Sequence, residues 1–304
     1  MAGHMHTQDG TTGHQWDDEE GAPLKEWNNP LPAWWLYTFY ATIIWSIIYW
    51  VIYPAWPVGN GATQGITGWT MYTELQEELD AADVQRKPFL TKLDQTDLAQ
   101  VNADPKLFEF AKSGGKAIFG DYCAACHGSG GTGGKGFPNL TDNDWIYGGT
   151  YEAILETLNN GRAGMMPAHL DAKGGAFSAG QVDDLVNYVQ SLSNMEHDAM
   201  AAERGKTLFM GDAGCNNCHG DTGVGALLGS AMGNKLDASV GAPNLTDRIW
   251  LYGSDKETIR ETISAGRNGR MPAWGTGFDG LGKQMTPLQL KQLAVYVHSL
   301  GGGQ

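Results

Sequence analysis

The chain has 304 residues, with 20 Lys or Arg against 34 Asp or Glu, a net charge of −14. That balance excludes a nucleic-acid binder built on a basic surface, and only 4 Cys in this length excludes a disulfide scaffold. The 43 Gly, about 14% and roughly twice the usual share, predict a folded but loop-rich chain with thin aliphatic cores.

Residues 1–29 are polar, acidic and Gly-rich and read as a disordered tail. His4, His6 and His14 lie there without the Cys or carboxylate pattern of a metal site. Between Glu26 and Glu74 no side chain is charged. Inside this window Trp34 to Tyr53 forms a 20-residue apolar run, about 30 Å long as a helix, the hydrocarbon thickness of a bilayer. Trp34, Trp35 and Tyr37 mark one end, and Trp50, Tyr53 and Trp56 the other, as in an aromatic belt. Pro30, Pro32, Pro54 and Pro57 bound the run. The acidic leader (Asp17, Asp18, Glu19, Glu20), the length and the lack of a small-residue cleavage site argue against a signal peptide. Residues 30–57 are therefore expected to be a single uncleaved transmembrane anchor. Flanking charge does not orient it, since only Lys25 precedes it closely and no Lys or Arg follows before Arg86. Residues 58–103 read as an uncharged Gly/Thr linker and then an acidic, helical or extended connector.

The remainder is a duplication. Cys123, Cys126, His127, Pro138, Trp145, Gly161, Arg162, Met166, Pro167, Tyr188 and Leu192 have matched partners downstream. These are Cys215, Cys218, His219, Pro243, Trp250, Gly266, Arg267, Met271, Pro272, Tyr296 and Leu300. The second copy carries 13 more residues between its His and its Pro. A period near 100 residues with loop insertions marks two tandem domains, over residues 104–194 and 195–304. Helix starts are predicted at Asp104-Pro105, at Thr150, at the Ser178/Gln181 capping box, at Ser254 with Glu257, and at Thr286-Pro287 with Gln289. Val182, Leu185, Val186 and Val189, and likewise Leu290, Leu293, Ala294 and Val297, have helical spacing. The fold class is mainly α, and a large apolar cofactor is expected to complete each thin core.

Cys123-Ala-Ala-Cys126-His127 and Cys215-Asn-Asn-Cys218-His219 both have the haem c attachment pattern. Two Cys on one turn present their sulfurs to one porphyrin edge, and the following His faces the iron. A zinc site would leave both His unexplained, and a thioredoxin-like pair lacks its βαβ setting. Two covalently bound haems c, each with iron, are therefore expected, with His127 and His219 as axial ligands. A soft thioether sixth ligand favours Fe(II) and closes the iron to substrates. Met166 and Met271, each followed by Pro-Ala, stand at the matched position. Met165 and His169 rival Met166, but their counterparts are Arg270 and Trp274. Met195, Met200, Met210, Met232 and Met285 read as filler. Whether each Met serves its own repeat or the other stays open. The carbonyls of Pro138 and Pro243 are candidate acceptors for the His Nδ1–H. Arg162 and Arg267 are either propionate partners or solvated loop residues. Trp145, Tyr147, Trp250 and Tyr252 are either core or propionate donors.

Each repeat resembles a class I cytochrome c domain. The whole chain resembles the CcoP/FixP subunits of cbb3-type cytochrome c oxidases over residues 26–300. Asn29-Pro30-Leu31-Pro32-Ala33-Trp34-Trp35, Tyr53-Pro54-Ala55-Trp56-Pro57, Gly241–Asp247 and Gly269–Trp274 carry this resemblance. It implies an electron-transfer subunit without a catalytic centre of its own. Electrons would come from a donor cytochrome c and pass through a mono-haem cytochrome c subunit to a haem–copper subunit that reduces oxygen. It also implies a single-pass protein of the bacterial inner membrane, its N-terminus cytoplasmic and its haem domains periplasmic. Membrane lipid is a further expected partner, nucleic acid is not, and the negative charge would steer a basic donor. A free-standing membrane-anchored dihaem shuttle is the alternative. A dihaem peroxidase fits poorly, because both repeats carry the Met-Pro-Ala match.

Overall fold

The computed structural model describes residues 10–15, 25–225, 241–277 and 284–302. Met232 and most of the 13-residue insertion lie outside the described residues, as do His4 and His6.

In the N-terminal unit, Met1–Gln85, two segments of the expected disordered tail form strands, and residues 1–9 and 16–24 of that tail lie outside the described residues. β1 (Thr11–Gln15) pairs antiparallel with β2 (Lys25–Trp27), and the Trp27 ring lies over Gly10. A β-branched Thr pair and an aromatic cover supply what the composition of the segment concealed. α1 (Ala33–Ile52) is the expected span, long and apolar enough to cross a membrane and with none of its residues buried. It begins after Pro32 and ends before Pro54, and Thr38, Thr42 and Ser46 return their hydroxyls to its own carbonyls. These three hydroxyls are thus satisfied within the helix, as a hydrocarbon surrounding requires. A tight hairpin follows, β3 (Pro57–Val58) with β4 (Gly61–Ala62), and Thr63 Oγ1 accepts from the amides of Ala55 and Trp56. The acidic connector is helical, forming α2 (Met71–Gln95).

The unit from Arg86 to Gln304 holds both repeats. Repeat one gives α3 (Pro105–Tyr122), α4 (Ala124–His127), α5 (Tyr151–Asn160), β5 (Arg162–Met166) and α6 (Ala179–Leu192). Repeat two gives α7 (Ala199–Met210), α8 (Asn216–His219), α9 (Lys256–Ala265), β6 (Arg267–Met271) and α10 (Pro287–His298). Asp104, Thr150, Ser178 and Thr286 cap their helices as the sequence predicts. α9 differs: Asp255, not Ser254, accepts from the Thr258 amide, because a carboxylate at N-cap also meets the positive helix end.

Consecutive along the chain, the repeats exchange their C-terminal halves in space. α10 packs on α3 and α5, while α6 packs on α7 and α9. One core joins Leu107, Ala111, Phe119 and Cys123 of repeat one to Trp274, Leu290, Leu293 and Val297 of repeat two. The other joins Phe177, Val182, Leu185 and Val189 of repeat one to Phe209, Ile259 and Ile263 of repeat two. Lys291, on α10, donates from Nζ to the carbonyls of Leu93, Asp94 and Thr96 and so caps the end of α2.

Candidate functional site

Each Cys-His motif is a single helical turn. His127 N–H donates to the Cys123 carbonyl at 2.9 Å, and His219 N–H to that of Cys215 at 2.9 Å. Residues i, i+3 and i+4 thereby share one face, so both sulfurs and the imidazole are presented together. Burial pushes the Cys123 and Cys215 thiols up to about 11, so either sulfur is neutral until it is alkylated.

Both His are buried, with Nδ1 at 3.0 Å from the carbonyl oxygen of Pro138 or Pro243. A carbonyl only accepts, so Nδ1–H donates and Nε2 is the unprotonated nitrogen. Burial holds His219 below its ordinary pKa, against the pull of the Pro243 bond, and the neutral ring is the metal-binding form. Neither Nε2 has a hydrogen-bond partner among the described residues. The loop beneath each ring closes through Gly133 and Gly225, whose amides donate to the carbonyls of His127 and His219. Both glycines have positive φ, 70° and 75°, and a Cβ there would strike the Phe137–Pro138 or Ala242–Pro243 backbone.

The Met residues are placed by β5 and β6, which pair antiparallel with Arg162 opposite Met271, Gly164 opposite Gly269 and Met166 opposite Arg267. Directly opposed residues share a face of the ribbon. That face therefore carries Arg162 and Met271 at one end and Met166 and Arg267 at the other. Met271 packs against the core containing Cys123, and Met166 against the core that Cys215 lines. The structure thus brings Met271 to the side of His127 and Met166 to the side of His219. Met165 falls on the opposite face and is 76% exposed. His169 has its amide bonded to the Ile263 carbonyl and its ring 6.2 Å from that of Phe177.

The flanking groups repeat in both halves. The Arg162 guanidinium lies 4.5 Å from the Tyr147 ring centroid, with Nε donating to Thr157 Oγ1 at 3.0 Å. Arg267 lies 4.4 Å from the Tyr252 ring, with Nε donating to Thr262 Oγ1 at 3.0 Å. Trp145 Nε1 donates to the Asp142 carbonyl, whereas Trp250 Nε1 is buried with no partner among the described residues. That orphaned donor, the free Nε2 atoms and the paired sulfurs together fit a haem held by each motif.

Gly161 and Gly266 have a purpose that the sequence does not disclose. Both have positive φ, and a Cβ on Gly161 would clash with the Met271 carbonyl, one on Gly266 with the Met166 carbonyl. Each glycine admits the other repeat's Met backbone. Their position immediately before a matched Arg is the only signal the sequence offers.

Tandem c-type cytochrome modules behind one apolar helix define a membrane-anchored electron-transfer protein of the cytochrome c class. The family models agree with that architecture. The N-terminal domain of cytochrome oxidase-cbb3, FixP, matches residues 8–60. Cytochrome C oxidase, cbb3-type, subunit III, matches residues 111–189 and 200–297. The chain is 43% identical over 299 residues to the cbb3-type cytochrome c oxidase subunit FixP of Azorhizobium caulinodans, covering 97% of this chain and 94% of that one. It is 42% identical to the CcoP subunit of an Azospirillum species, covering 97% and 96%. It is 39% identical to that of Cereibacter sphaeroides, with the same coverage. The chain belongs to the CcoP/FixP family, the electron-transfer subunits of cbb3-type cytochrome c oxidases.

Proposed function

We propose that the chain holds two haems c, each attached to the Cys pair and His of one repeat and capped by the Met of the other. Cys123, Cys126 and His127 combine with Met271, and Cys215, Cys218 and His219 combine with Met166. Haem supplies reversible one-electron chemistry at iron when bound. The protein's part is to hold the imidazole by the Pro carbonyl, to present a soft sulfur opposite it, and to exclude water with the two cores. The β5–β6 register carries this reading, since it sets each Met on the far repeat's side.

His127 with Met271, and His219 with Met166, would hold each haem iron between an imidazole and a thioether, which suits electron relay and not oxygen reduction by the chain itself. Its place is between a donor cytochrome c and the mono-haem and haem–copper subunits of the oxidase. α1 anchors it in the bacterial inner membrane with the N-terminus cytoplasmic. Because haem c is attached outside the cytoplasm, both repeats lie on the periplasmic side.

Removing one haem at a time tests the crossed ligands. In a Cys123→Ser, Cys126→Ser chain that keeps only the second haem, Met166→Ala should abolish the thioether-to-iron charge-transfer absorption, and Met271→Ala should spare it. The reverse pattern would mean that each Met serves its own repeat. A single haem by mass in the unaltered chain would refute the dihaem reading.

A further inference from the structure

The contacts of the matched arginines on the two ligand ribbons, Arg162 and Arg267, differ in one respect. In repeat two, Arg267 Nη2 and Nη1 reach Glu261 Oε2 and Oε1 at 3.1 and 3.4 Å, so this guanidinium is already neutralised. The matched carboxylate in repeat one is Glu156, one residue before Thr157 as Glu261 is one before Thr262. Glu156 Oε1 instead accepts from Asn160 Nδ2 at 2.7 Å. No carboxylate pairs with Arg162 among the described residues, and its only hydrogen bond there runs from Nε to Thr157. The cause is legible in the sequence: the residue matching Asn160 is Ala265, which has nothing to offer Glu261.

We infer that the haem attached through Cys123 and Cys126 has the higher reduction potential of the two, and that Asn160 sets the difference by holding Glu156 away from Arg162. This rests on the two-haem reading above. Arg162 stands directly opposite Met271 on one face of the ribbon, at the end that meets the core around Cys123. Adding an electron lowers the charge on iron by one, so an unpaired cation nearby stabilises the reduced form. The same guanidinium also keeps its terminal N–H groups for an anion such as a haem propionate. Opposite Met166, the Arg267–Glu261 pair presents little net charge and stabilises reduction less. The His, Pro carbonyl, Met, Tyr and Thr partners of the two sites are the same in kind, and the Arg267–Glu261 pair is where the matched arginines part.

The direction of internal transfer follows. With haem bound at both motifs, this order of potentials would favour transfer of one electron from the Cys215 site, which would be oxidised, to the Cys123 site, which would be reduced, with no bond made or broken.

The test is a spectroelectrochemical titration of the purified oxidase containing the full-length chain. The two steps of this chain are followed in the unaltered protein and in two surface variants. Glu261 is 59% exposed, so Glu261→Gln leaves the fold intact. It should raise the lower of the two potentials and leave the upper one in place. Asn160→Ala should free Glu156 to pair with Arg162 and lower the upper potential, so that the two steps converge. Arg162→Gln should lower the upper step as well, with Arg162→Lys restoring most of it, which a merely structural role would not do. Movement of the opposite step, or no movement in Asn160→Ala and Glu261→Gln, would overturn the assignment. Loss of a covalent haem from the unaltered chain, read by mass, would instead count against the dihaem reading itself.

Discussion

Asp144 Oδ1 is buried with no hydrogen-bond partner among the described residues. Burial is the main cause that pushes this carboxyl up to about 7 from 3.8, with the negative charges of Asp247 and then Asp142 adding to it. Ile249 fills the matched place in repeat two, so the charge there is not a requirement of the fold. Between pH 4 and 7 the folded chain holds a proton that the unfolded chain has released. Stability therefore falls as pH rises through that window and stays lower above it. Asp144→Asn should stabilise the folded chain at pH 8 by roughly 1–2 kcal/mol after allowance for partial exposure, raising its thermal midpoint there, and should change the midpoint little at pH 4. Midpoints followed by circular dichroism at the two pH values decide it, and a larger gain at pH 4 would refute the burial argument. At this scale the sequence is most readable where spacing is rigid. Cys, Cys and His on one turn, and Met before Pro-Ala, are fixed by local geometry. Gly161 is silent because its effect is felt at Met271, far away along the chain.

At the scale of elements, α3 against α10 and α7 against α6 are two versions of one crossing. Gly115 lets α3 approach the Gln292 backbone, and Gly205 lets α7 approach that of Asp184. Phe119 then meets Tyr296 at 5.2 Å between ring centres, and Phe209 meets Tyr188 at 5.1 Å. Gly205→Val should force these helices apart and cost at least about 1–3 kcal/mol. The core that Met166 packs against should loosen first, which near-ultraviolet circular dichroism and the spectrum of the Cys215-attached haem would register. Gly120, on the same helix as Gly115 but with open space where a Cβ would sit, supplies the control. Gly120→Ala should be neutral or gain up to about 1 kcal/mol, because only helix propensity changes. Equal damage from both substitutions would show that helix crossing is not what Gly205 protects. Helix caps and apolar spacing reveal α1, α3, α6 and α10 from sequence alone. They cannot reveal which helices pair. The last helices of the repeats carry the same Tyr and Leu at the same positions, so either satisfies either partner.

The whole molecule follows from that ambiguity. Arg162 belongs to the ribbon end near the core around Cys123, and Met166, four residues on and about 13 Å further along an extended strand, belongs to the end at the other core. β6 makes the reciprocal crossing, so the two strands pass one another at Gly164 and Gly269, where neither residue has a side chain to obstruct the other. Neither half can then leave without stripping its neighbour. Removing repeat two would expose Leu107, Ala111 and Phe119, which α10 now covers, and full burial of one large apolar side chain is worth about 1.5–3 kcal/mol. The connection between α6 and α7 is therefore dispensable for cohesion once the chain has folded. Glu196 and His197 within it are exposed and suited to an engineered protease site. Cleavage there should leave two fragments that elute together without denaturant and keep both haem spectra. Repeats that were merely tandem, each with its own core and its own Met, would separate under the same treatment, and that result would refute the interlaced arrangement.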